Sequence, residues 1–457
     1  MKKITQLLVL PLLVLAMYSC QPSAKRVAET APAGWVNRPE WSKNAVIYEV
    51  NVRQYTPEGT FKAFETHLPR LKELGVDILW LMPINPISVK NRKGGLGSYY
   101  SIRDYRAINP EFGNIEDFKN LVNKAHEMGF KVIIDWVANH TGWDNQWISD
   151  HPEWYTQDST GAIIPPNPDW SDVADLNFDS KPMRRAMIDA MDYWVKSADI
   201  DGFRCDVAWG VPQDFWEDAT ASLDSIKPVY MLAEDEDHPG FLDKAFESDY
   251  AWKFHHILND VAQGKKTALD IKTYFTEIGG KYAPGSFPMQ FITNHDENSH
   301  NGTEYERMGD AVKTFAVLSF TVPGIPLIYS GQEAGLKKRL LFFEKDMIDW
   351  SNLEMQQFYQ KLIKLKKDQT ALWNGTSGGE LTLVETSIPE KVLAFTREKG
   401  NSKVLAVFNL SDKPAEAAIQ LAQAGDYQEL FSGDTKTLEK GSTIKLDKWG
   451  YQIFVRK

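Results

Sequence analysis

A mostly apolar run with two charged residues lies near the middle of the chain: Ile200-Asp201-Gly202-Phe203-Arg204-Cys205-Asp206-Val207-Ala208. Its composition predicts a buried strand, in which Arg204 and Asp206, two residues apart, would share one face. A charged pair on the inner face of an apolar strand is costly unless it is neutralised or used. Two interpretations follow: an ion pair that only stabilises the fold, or a carboxylate kept ionised for catalysis.

Segments with strand-like and helix-like patterns alternate on both sides of this run. Apolar runs predict eight strands, at residues 46–52, 76–82, 130–136, 200–207, 229–233, 251–254, 288–293 and 325–329. Apolar residues at helical spacing lie between them, and Gly75 and Gly129 end the first two helices. Eight strand–helix units in series predict an α/β fold of the (β/α)8 TIM barrel type rather than an open doubly wound sheet.

Two regions depart from this alternation. Residues 141–180 are rich in Trp, Asp, Asn and Pro and have no sustained period, which predicts an irregular insertion after strand three. Beyond about residue 373, short β runs separated by turn residues predict a C-terminal antiparallel β-sandwich over residues 373–457. The barrel itself would comprise residues 40–140 and 181–372.

The first twenty residues have the pattern of a targeting segment. Lys2 and Lys3 precede an apolar stretch that is too short to span a bilayer and ends near Cys20. This resembles a bacterial lipoprotein signal, with residues 1–19 cleaved and Cys20 acylated, and an ordinary secretory signal is the alternative. Residues 20–39 would form a flexible tether. We therefore expect a lipid-anchored protein of the cell envelope, in the outer membrane or facing the periplasm.

Composition limits the class of partner. The formal net charge is −11, which argues against nucleic acid or an anionic membrane surface as the main partner. Aromatic residues are abundant, with 15 Trp and 17 Tyr, and they serve either as core residues or as stacking platforms for sugar rings.

Carboxylates follow several of the predicted strands. Asp206, Glu234 and Asp296 end strands four, five and seven, and Asp135 ends strand three. Chemistry in a TIM barrel collects at these C-terminal ends, so the first three acids should share one cleft. Arg204 would keep Asp206 ionised, while an apolar or acidic neighbourhood would raise the pKa of Glu234. An ionised nucleophile beside a protonated acid is what a retaining glycosidase needs.

Other chemistries are less well supported. His140 and His295 with the carboxylates suggest a metal site, but no paired-histidine motif occurs, so each histidine is expected to be a neutral donor. His255 and His256, at a predicted helix start, are expected at the surface. A barrel without an active site is disfavoured because three acids in one cleft would be destabilising.

Four ordered blocks resemble the signature of the α-amylase superfamily of glycoside hydrolases. They are Asp135-Trp136-Val137-Ala138-Asn139-His140, Gly202-Phe203-Arg204-Cys205-Asp206, Leu232-Ala233-Glu234 and Thr293-Asn294-His295-Asp296. Three supporting blocks span residues 99–105, 175–177 and 324–333. The resemblance covers about residues 40–457 and implies that the insertion is domain B and the sandwich domain C of that family.

The resemblance also implies roles for individual residues. Asp206 would be the nucleophile, Glu234 the general acid and base, and Asp296 the group that steadies the distorted sugar. Substrate contacts are implied for four more residues: Tyr100, which would stack under the ring, and His140, Arg204 and His295, which would position Asp206 and the sugar hydroxyls.

Two positions depart from the family pattern. Calcium-binding members carry a histidine four residues after the nucleophile, where this chain has Gly210. Asn139 matches a calcium ligand, but its partner is missing, so no cofactor is expected to be required and the usual calcium site is in doubt. Trp209 stands where a lysine is frequent, and it either forms a sugar-stacking surface on the acceptor side or packs under domain B.

The expected function is a retaining hydrolase that cleaves α-glucosidic bonds, expected to be α-1,4, in starch-derived maltooligosaccharides through a covalent β-glucosyl-aspartate. Alternatives on the same site are a transglycosylase or glucanotransferase and an α-1,6-acting hydrolase, since Asp175-Leu176-Asn177 and Val207 also resemble the oligosaccharide-degrading branches. An inactive starch-binding envelope protein is a further alternative, against which the three acids argue. The expected partner is an α-glucan, and the sequence does not predict the oligomeric state.

Overall fold

The structure is a computed structural model that describes residues 38–457. The predicted signal segment, Cys20 and nearly all of the predicted tether lie outside the described residues. Within residues 38–457, no helix has both the length and the apolar character needed to cross a membrane.

A closed barrel of eight parallel strands forms the body of the molecule. The strands up to residue 372 are β1 Ile47–Val50, β2 Ile78–Leu81, β3 Lys131–Val137, β4 His140–Gly142, β5 Val173–Asp175, β6 Gly202–Asp206, β7 Tyr230–Ala233, β8 Ser248–Tyr250, β9 Phe287–Gln290 and β10 Ile325–Tyr329. The barrel closes in the order β1-β10-β9-β8-β7-β6-β3-β2, and β4 pairs only with β5. The predicted (β/α)8 barrel is confirmed.

Helices surround the barrel, and one short helix, α5, lies in the insertion. They are α1 Val52–Tyr55, α2 Phe61–Glu65, α3 Leu68–Leu74, α4 Ile115–Glu127, α5 Gln146–Asp150, α6 Lys181–Ala198, α7 Gln213–Asp224, α8 Phe241–Lys244, α9 Trp252–Ala262, α10 Ala268–Glu277, α11 Glu304–Met308, α12 Val312–Thr321 and α13 Gln356–Asp368. Helix α4 shows how local sequence sets the bounds. Asn114 caps its start in a capping box with Asp117, and Gly129, with φ +83°, follows its end.

The insertion after β3 contains little regular structure. Strands β4 and β5 form a two-stranded antiparallel ribbon in which His140 is opposite Asp175. The short helix α5 begins at the capping residue Asn145. Because β4 starts at His140, directly after β3, the insertion is attached to the rim of the barrel mouth.

Eight further strands form the C-terminal part: β11 Leu381–Leu383, β12 Val392–Lys399, β13 Ser402–Asn409, β14 Ala415–Ala418, β15 Gly425–Glu429, β16 Thr435–Leu438, β17 Thr443–Leu446 and β18 Tyr451–Arg456. Six of them form an antiparallel sheet in the order β11-β12-β13-β18-β15-β16, and β14 pairs with β17. Buried apolar side chains from both sheets, such as Val407 and Ile444, pack together as the predicted sandwich requires.

A buried cation, Arg397, joins the sandwich to the barrel, and a second buried cation, Lys366, lies within the barrel part nearby. Arg397 on β12 donates to the carbonyls of Val322 and Trp373, each at 3.0 Å, and burial lowers its pKa to about 9. Lys366 on α13 donates to the carbonyls of Gly324 at 3.0 Å and Leu372 at 2.7 Å. Because Arg397 takes its acceptors from residues outside the sandwich strands, removal of the barrel would leave its buried guanidinium unpaired.

Two expectations about one region were wrong. The sixth barrel strand is Ser248–Tyr250 and not residues 251–254, which begin α9. Phe254, Leu258 and Val261 are buried at helical spacing, and this period prevails over a strand. His255 is fully buried rather than at the surface, because it lies on the inner face of α9 with Nε2 3.0 Å from Glu297 Oε2.

Candidate active site

One cleft at the C-terminal ends of the barrel strands contains the three predicted acids. Asp206 is the last residue of β6, Glu234 follows β7 directly, and Asp296 lies in the loop after β9. The cleft has a volume of about 360 Å³, and residues from several loops complete its lining: Lys93, Ser98, Tyr100, His140, Trp170, Asp172, Val173, Val207, His300, Phe342 and Phe343. We call it the first cleft.

Arg204 lies beneath this cleft and contacts three carboxylates. Its Nη1 donates to Asp206 Oδ1 at 3.0 Å and to Asp135 Oδ1 at 2.8 Å, while Nη2 lies 2.9 Å from Glu234 Oε1. Its Nε donates to the hydroxyl of Tyr250 at 3.1 Å. The guanidinium is fully buried, so it fixes the relative positions of Asp206 and Glu234 within the barrel.

Burial raises the pKa of both Asp206 and Glu234. Burial raises the pKa of Asp206 well above its usual range; Arg204 opposes this rise, and the charge of Glu234 adds to it. Burial likewise raises the pKa of Glu234 against the effect of Arg204. The expectation that Arg204 keeps Asp206 ionised is not supported, because burial outweighs the effect of Arg204 on the pKa of Asp206. Each group therefore holds its proton to a higher pH than a free carboxyl group does.

A strained turn after the nucleophile candidate orients Glu234. Val207 has φ +45°, a conformation that β-branched residues rarely adopt. This turn directs the Val207 N–H toward the cleft, where it donates to Glu234 Oε2 at 2.8 Å. Both oxygens of Glu234 therefore face positive groups, one from Arg204 and one from the backbone.

His295 holds Asp296 in its ionised form. Its Nε2 lies 3.2 Å from Asp296 Oδ2, and its Nδ1 lies 2.5 Å from Glu49 Oε1. Burial alone would lower the pKa of His295, but Asp296 and Glu49 raise it well above its usual range. Burial opposes ionisation of Asp296, yet His295 lowers its pKa to about 2. His295 is thus charged, and the expected neutral donor at this position was wrong.

His140 is neutral and faces the same cleft. Burial lowers its pKa to about 4. Its Nδ1 lies 3.2 Å from Asn139 Nδ2, which can only donate, so the ring proton is on Nε2. Tyr100 also lines the cleft; its hydroxyl donates to Asp135 Oδ2 at 3.1 Å, and its ring stacks on Phe342 with centroids 6.2 Å apart. These contacts fix the Tyr100 ring in the cleft lining.

Trp209 belongs to a second, wider cleft. Its side chain is 56% exposed, so it does not pack beneath the insertion. The second cleft has a volume of about 770 Å³ and adjoins the first at Trp170, Val207 and Glu234. Trp252 and His256 from α9 line it together with residues 235–237, the acidic run that follows Glu234. The exposed indole ring of Trp209 is suited to stacking on a sugar.

The backbone at Gly210 lies so close to Asn139 that position 210 has no room for a side chain. A Cβ atom at position 210 would lie 2.6 Å from Asn139 Oδ1. Within residues 38–457, no group of three or more His, Cys, Asp or Glu side chains is arranged to hold a metal ion. That no calcium is required stays a prediction.

Several site residues were not predicted. Asp135 was noted only as a strand end, yet it pairs with Arg204. Glu49 is fully buried and could have been suspected as the single acid in the apolar run 46–52. Tyr250 and Phe342 had no signal in the sequence, because their roles depend on contacts between distant segments.

Comparison with known proteins identifies the family. Residues 24–161 and 154–379 match the α-amylase catalytic domain, and residues 381–453 match the maltogenic amylase C-terminal domain. The chain belongs to the α-amylase family and is a glycosidase.

Solved structures and curated relatives support this placement. The chain is 31% identical to a noncanonic maltogenic α-amylase, AmyB, from Thermotoga neapolitana, with a TM-score of 0.83 over 90% of this chain and 98% of that one. It is 32% identical to an α-amylase from Lactobacillus plantarum, with a TM-score of 0.80 over 91% and 99% of the two chains. It is 29% identical to α-amylase MalA of Haloarcula japonica over 87% of its own length, and it spans 59% of that protein.

Proposed function

We propose that this protein is a retaining hydrolase of α-glucosidic bonds, acting on α-1,4 links in starch-derived maltooligosaccharides. The observation that carries the proposal is the joint contact of Arg204 with Asp206 and Glu234 on the floor of the first cleft. A retaining mechanism needs one carboxylate as nucleophile and one protonated carboxyl as acid. Burial raises the pKa of both groups, which favours retention of a proton at the site.

The reaction proceeds in two displacements. An oxygen of Asp206 attacks C1 of the sugar, and Glu234 donates its proton to the departing glycosidic oxygen as the C1–O bond breaks. In the second step Glu234 removes a proton from water, whose oxygen attacks C1 and breaks the ester bond to Asp206. The Asp206 carboxylate and the Glu234 carboxyl group are both regenerated.

The other residues of the cleft stabilise the charge of the transition state or hold the sugar in position. Asp296, kept ionised by His295, places a negative charge at the cleft, where the transition state develops positive charge on the sugar. His140 offers a neutral N–H donor for a sugar hydroxyl. Tyr100 forms an aromatic part of the lining on which a ring can pack.

Transfer to a sugar is the second candidate function, and the second cleft favours it. The covalent intermediate can be captured by a sugar hydroxyl as well as by water. Trp209 and Trp252 give the second cleft the aromatic surface that an acceptor sugar needs. Products longer than the substrate would identify this activity.

Purified protein incubated with maltoheptaose tests the proposal. We expect shorter maltooligosaccharides by chromatography and a first product with the α configuration by NMR, because two displacements retain configuration. Asp206→Asn should abolish turnover, whereas Glu127→Gln, which changes an exposed acid on α4, should leave it unchanged. A β-configured first product, or full activity in Asp206→Asn, would contradict the mechanism.

We also propose that Cys20 anchors the protein to the cell envelope, on the basis of residues 1–20. Growth with radiolabelled palmitate should label the wild-type protein and not Cys20→Ser. Labelling of both proteins, or of neither, would contradict a lipid anchor at this residue.

A further inference from the structure

The turn that follows Asp296 has an unusual form. Residues Glu297–Asn301 make one turn of π-helix, a rare geometry that is frequent at functional sites, and we call them the π-turn. Asp296 directly precedes the π-turn and His300 lies four residues after it, and both side chains line the first cleft. Burial raises the pKa of Asp296, His295 lowers it most, and His300 lowers it further, so the His300 ring lies near this acid. The π-turn therefore presents His300 to the cleft beside Asp296.

One carboxylate holds the π-turn from the interior. Glu297 is buried, and its Oε2 lies 3.0 Å from His255 Nε2 on α9 and 3.5 Å from Arg307 Nη1 on α11. Its Oε1 accepts a hydrogen bond from Asn301 Nδ2 at 2.7 Å. Burial raises the pKa of Glu297, but these partners, His255 foremost, lower it to about 2. Glu297 is therefore ionised, and its charge ties the π-turn to two helices.

Arg307 closes the loop that contains the π-turn. Its Nη2 donates to the carbonyl of Ile292 at 2.8 Å, and its Nε donates to the carbonyl of Gly302 at 2.9 Å. Ile292 precedes Asp296, and Gly302 directly follows the π-turn. One guanidinium therefore binds both ends of this loop and also contacts Glu297 within it.

A second buried side chain anchors the π-turn to the loop after β10. Asn298 accepts through Oδ1 from the Leu340 N–H at 2.9 Å and donates through Nδ2 to the Lys338 carbonyl at 3.2 Å. His300, by contrast, is exposed, and its ring packs against Phe342 with centroids 4.9 Å apart. Within residues 38–457, neither nitrogen of the His300 ring has a hydrogen-bond partner. An accessible imidazole is thus mounted on a fixed turn with its polar atoms unused.

We propose that His300 is a sugar-binding residue of the first cleft and that Glu297 is the positioning residue that holds it there. This inference rests on the proposed function. His300 and Asp206 line the first cleft and not the second. Because Asp206 attacks C1, the glycosyl part of the substrate lies in the first cleft, and His300 binds a hydroxyl of that part. An imidazole suits this role because its nitrogens can donate or accept a hydrogen bond.

Steady-state kinetics on maltoheptaose test the role of His300. His300→Ala should raise KM about tenfold and change kcat little, because it removes one hydrogen bond that is made equally in the ground state and the transition state. His300→Gln, which keeps a donor and an acceptor, should recover most of the loss. His151→Ala, which changes a histidine of the insertion that lines neither cleft, is the matched control and should keep the wild-type KM.

Two outcomes separate this inference from the proposed function. A wild-type KM in His300→Ala would overturn the inference and leave the proposed hydrolase intact. Failure of the wild-type protein to cleave maltoheptaose would count against the proposed function itself.

A double-mutant cycle tests the role of Glu297. Glu297→Gln keeps the size of the side chain but removes the charge that faces His255 and Arg307. If Glu297 acts by holding His300, this substitution raises KM in the wild-type background and has no further effect in His300→Ala. Asn301→Ala, which removes the exposed partner of Glu297, is a milder second variant and should follow the same pattern. Melting curves establish which variants are folded, and additive increases in KM, or wild-type KM values in the folded variants, would contradict the positioning role.

Discussion

His295 and Glu49 form a buried ion pair beneath the first cleft, with Nδ1 and Oε1 2.5 Å apart. Glu49 lies on β1, on the opposite side of the imidazole from Asp296, and is fully buried. Since the charge of His295 keeps Asp296 ionised, the charge of one cleft residue depends on a carboxylate that does not line the cleft.

Glu49→Gln should change the pH dependence of activity. Loss of the Glu49 charge lowers the raised pKa of His295, so the imidazolium loses its proton at a lower pH. We expect the alkaline limb of kcat/KM to move to lower pH and activity above neutral pH to fall about tenfold for each unit of that move. A uniform loss across the pH range would indicate a structural role only.

Glu234→Gln should affect substrates according to their leaving groups. We expect a loss of about 10²- to 10⁴-fold on maltoheptaose, whose glycosidic oxygen needs a proton to depart. α-Glucosyl fluoride needs little proton donation, so its turnover should fall much less. Steady-state rates of wild type and variant on both substrates give the comparison. Equal losses on both would exclude Glu234 as the general acid.

Trp209→Ala should weaken binding in the second cleft. Loss of an exposed stacking surface should raise the KM for maltoheptaose about tenfold and reduce transfer products relative to hydrolysis. Leu269→Ala, which removes another exposed apolar side chain that lines neither cleft, is the matched control. If both variants keep wild-type KM values, Trp209 does not bind sugar.

The sequence predicted the site best where charged residues lie within a strand of regular period. Arg204 and Asp206 could be placed on one inward face because strand alternation is independent of the rest of the fold. The sixth strand was misplaced because β8 has only three residues, Ser-Asp-Tyr, and lacks an apolar run. The following helix begins with Trp252, whose neighbours are apolar enough to imitate a strand.

Contacts between distant segments could not be predicted, because the sequence of one segment does not identify the segment that it contacts. The bond from Leu96 to Phe343 joins positions almost 250 residues apart, and nothing in either loop specifies its partner. His255 appeared to be a surface residue because local sequence cannot show that Glu297 and Phe291 cover it. The roles of polar residues in loops depend on tertiary contacts, and the periodicity of the sequence gives no information about these contacts.

Glu247→Gln should stabilise the protein at alkaline pH. Burial raises the pKa of Glu247 to about 8, and Oε2 has no hydrogen-bond partner within the described structure. The folded state therefore binds this proton more tightly than the unfolded state, so stability falls as pH rises from the unfolded pKa toward 8. We expect the variant to raise Tm at pH 8 by a few degrees and to have little effect at pH 4. Glu416→Gln, an exposed change, should have no such effect.

Removal of calcium should leave the enzyme active. Gly210 stands in place of the histidine of the calcium-binding members, and its contact with Asn139 leaves no space for a side chain. After dialysis against EDTA we expect unchanged activity and an unchanged melting temperature, both measured again after calcium is restored. A loss that calcium reverses would show that other oxygen ligands form a site.

Glu234 lines both clefts, so under the proposed mechanism the group that protonates the departing sugar also faces the space through which water or another sugar enters. The molecule that occupies the second cleft once the first product has left then decides whether a glucan is shortened or extended.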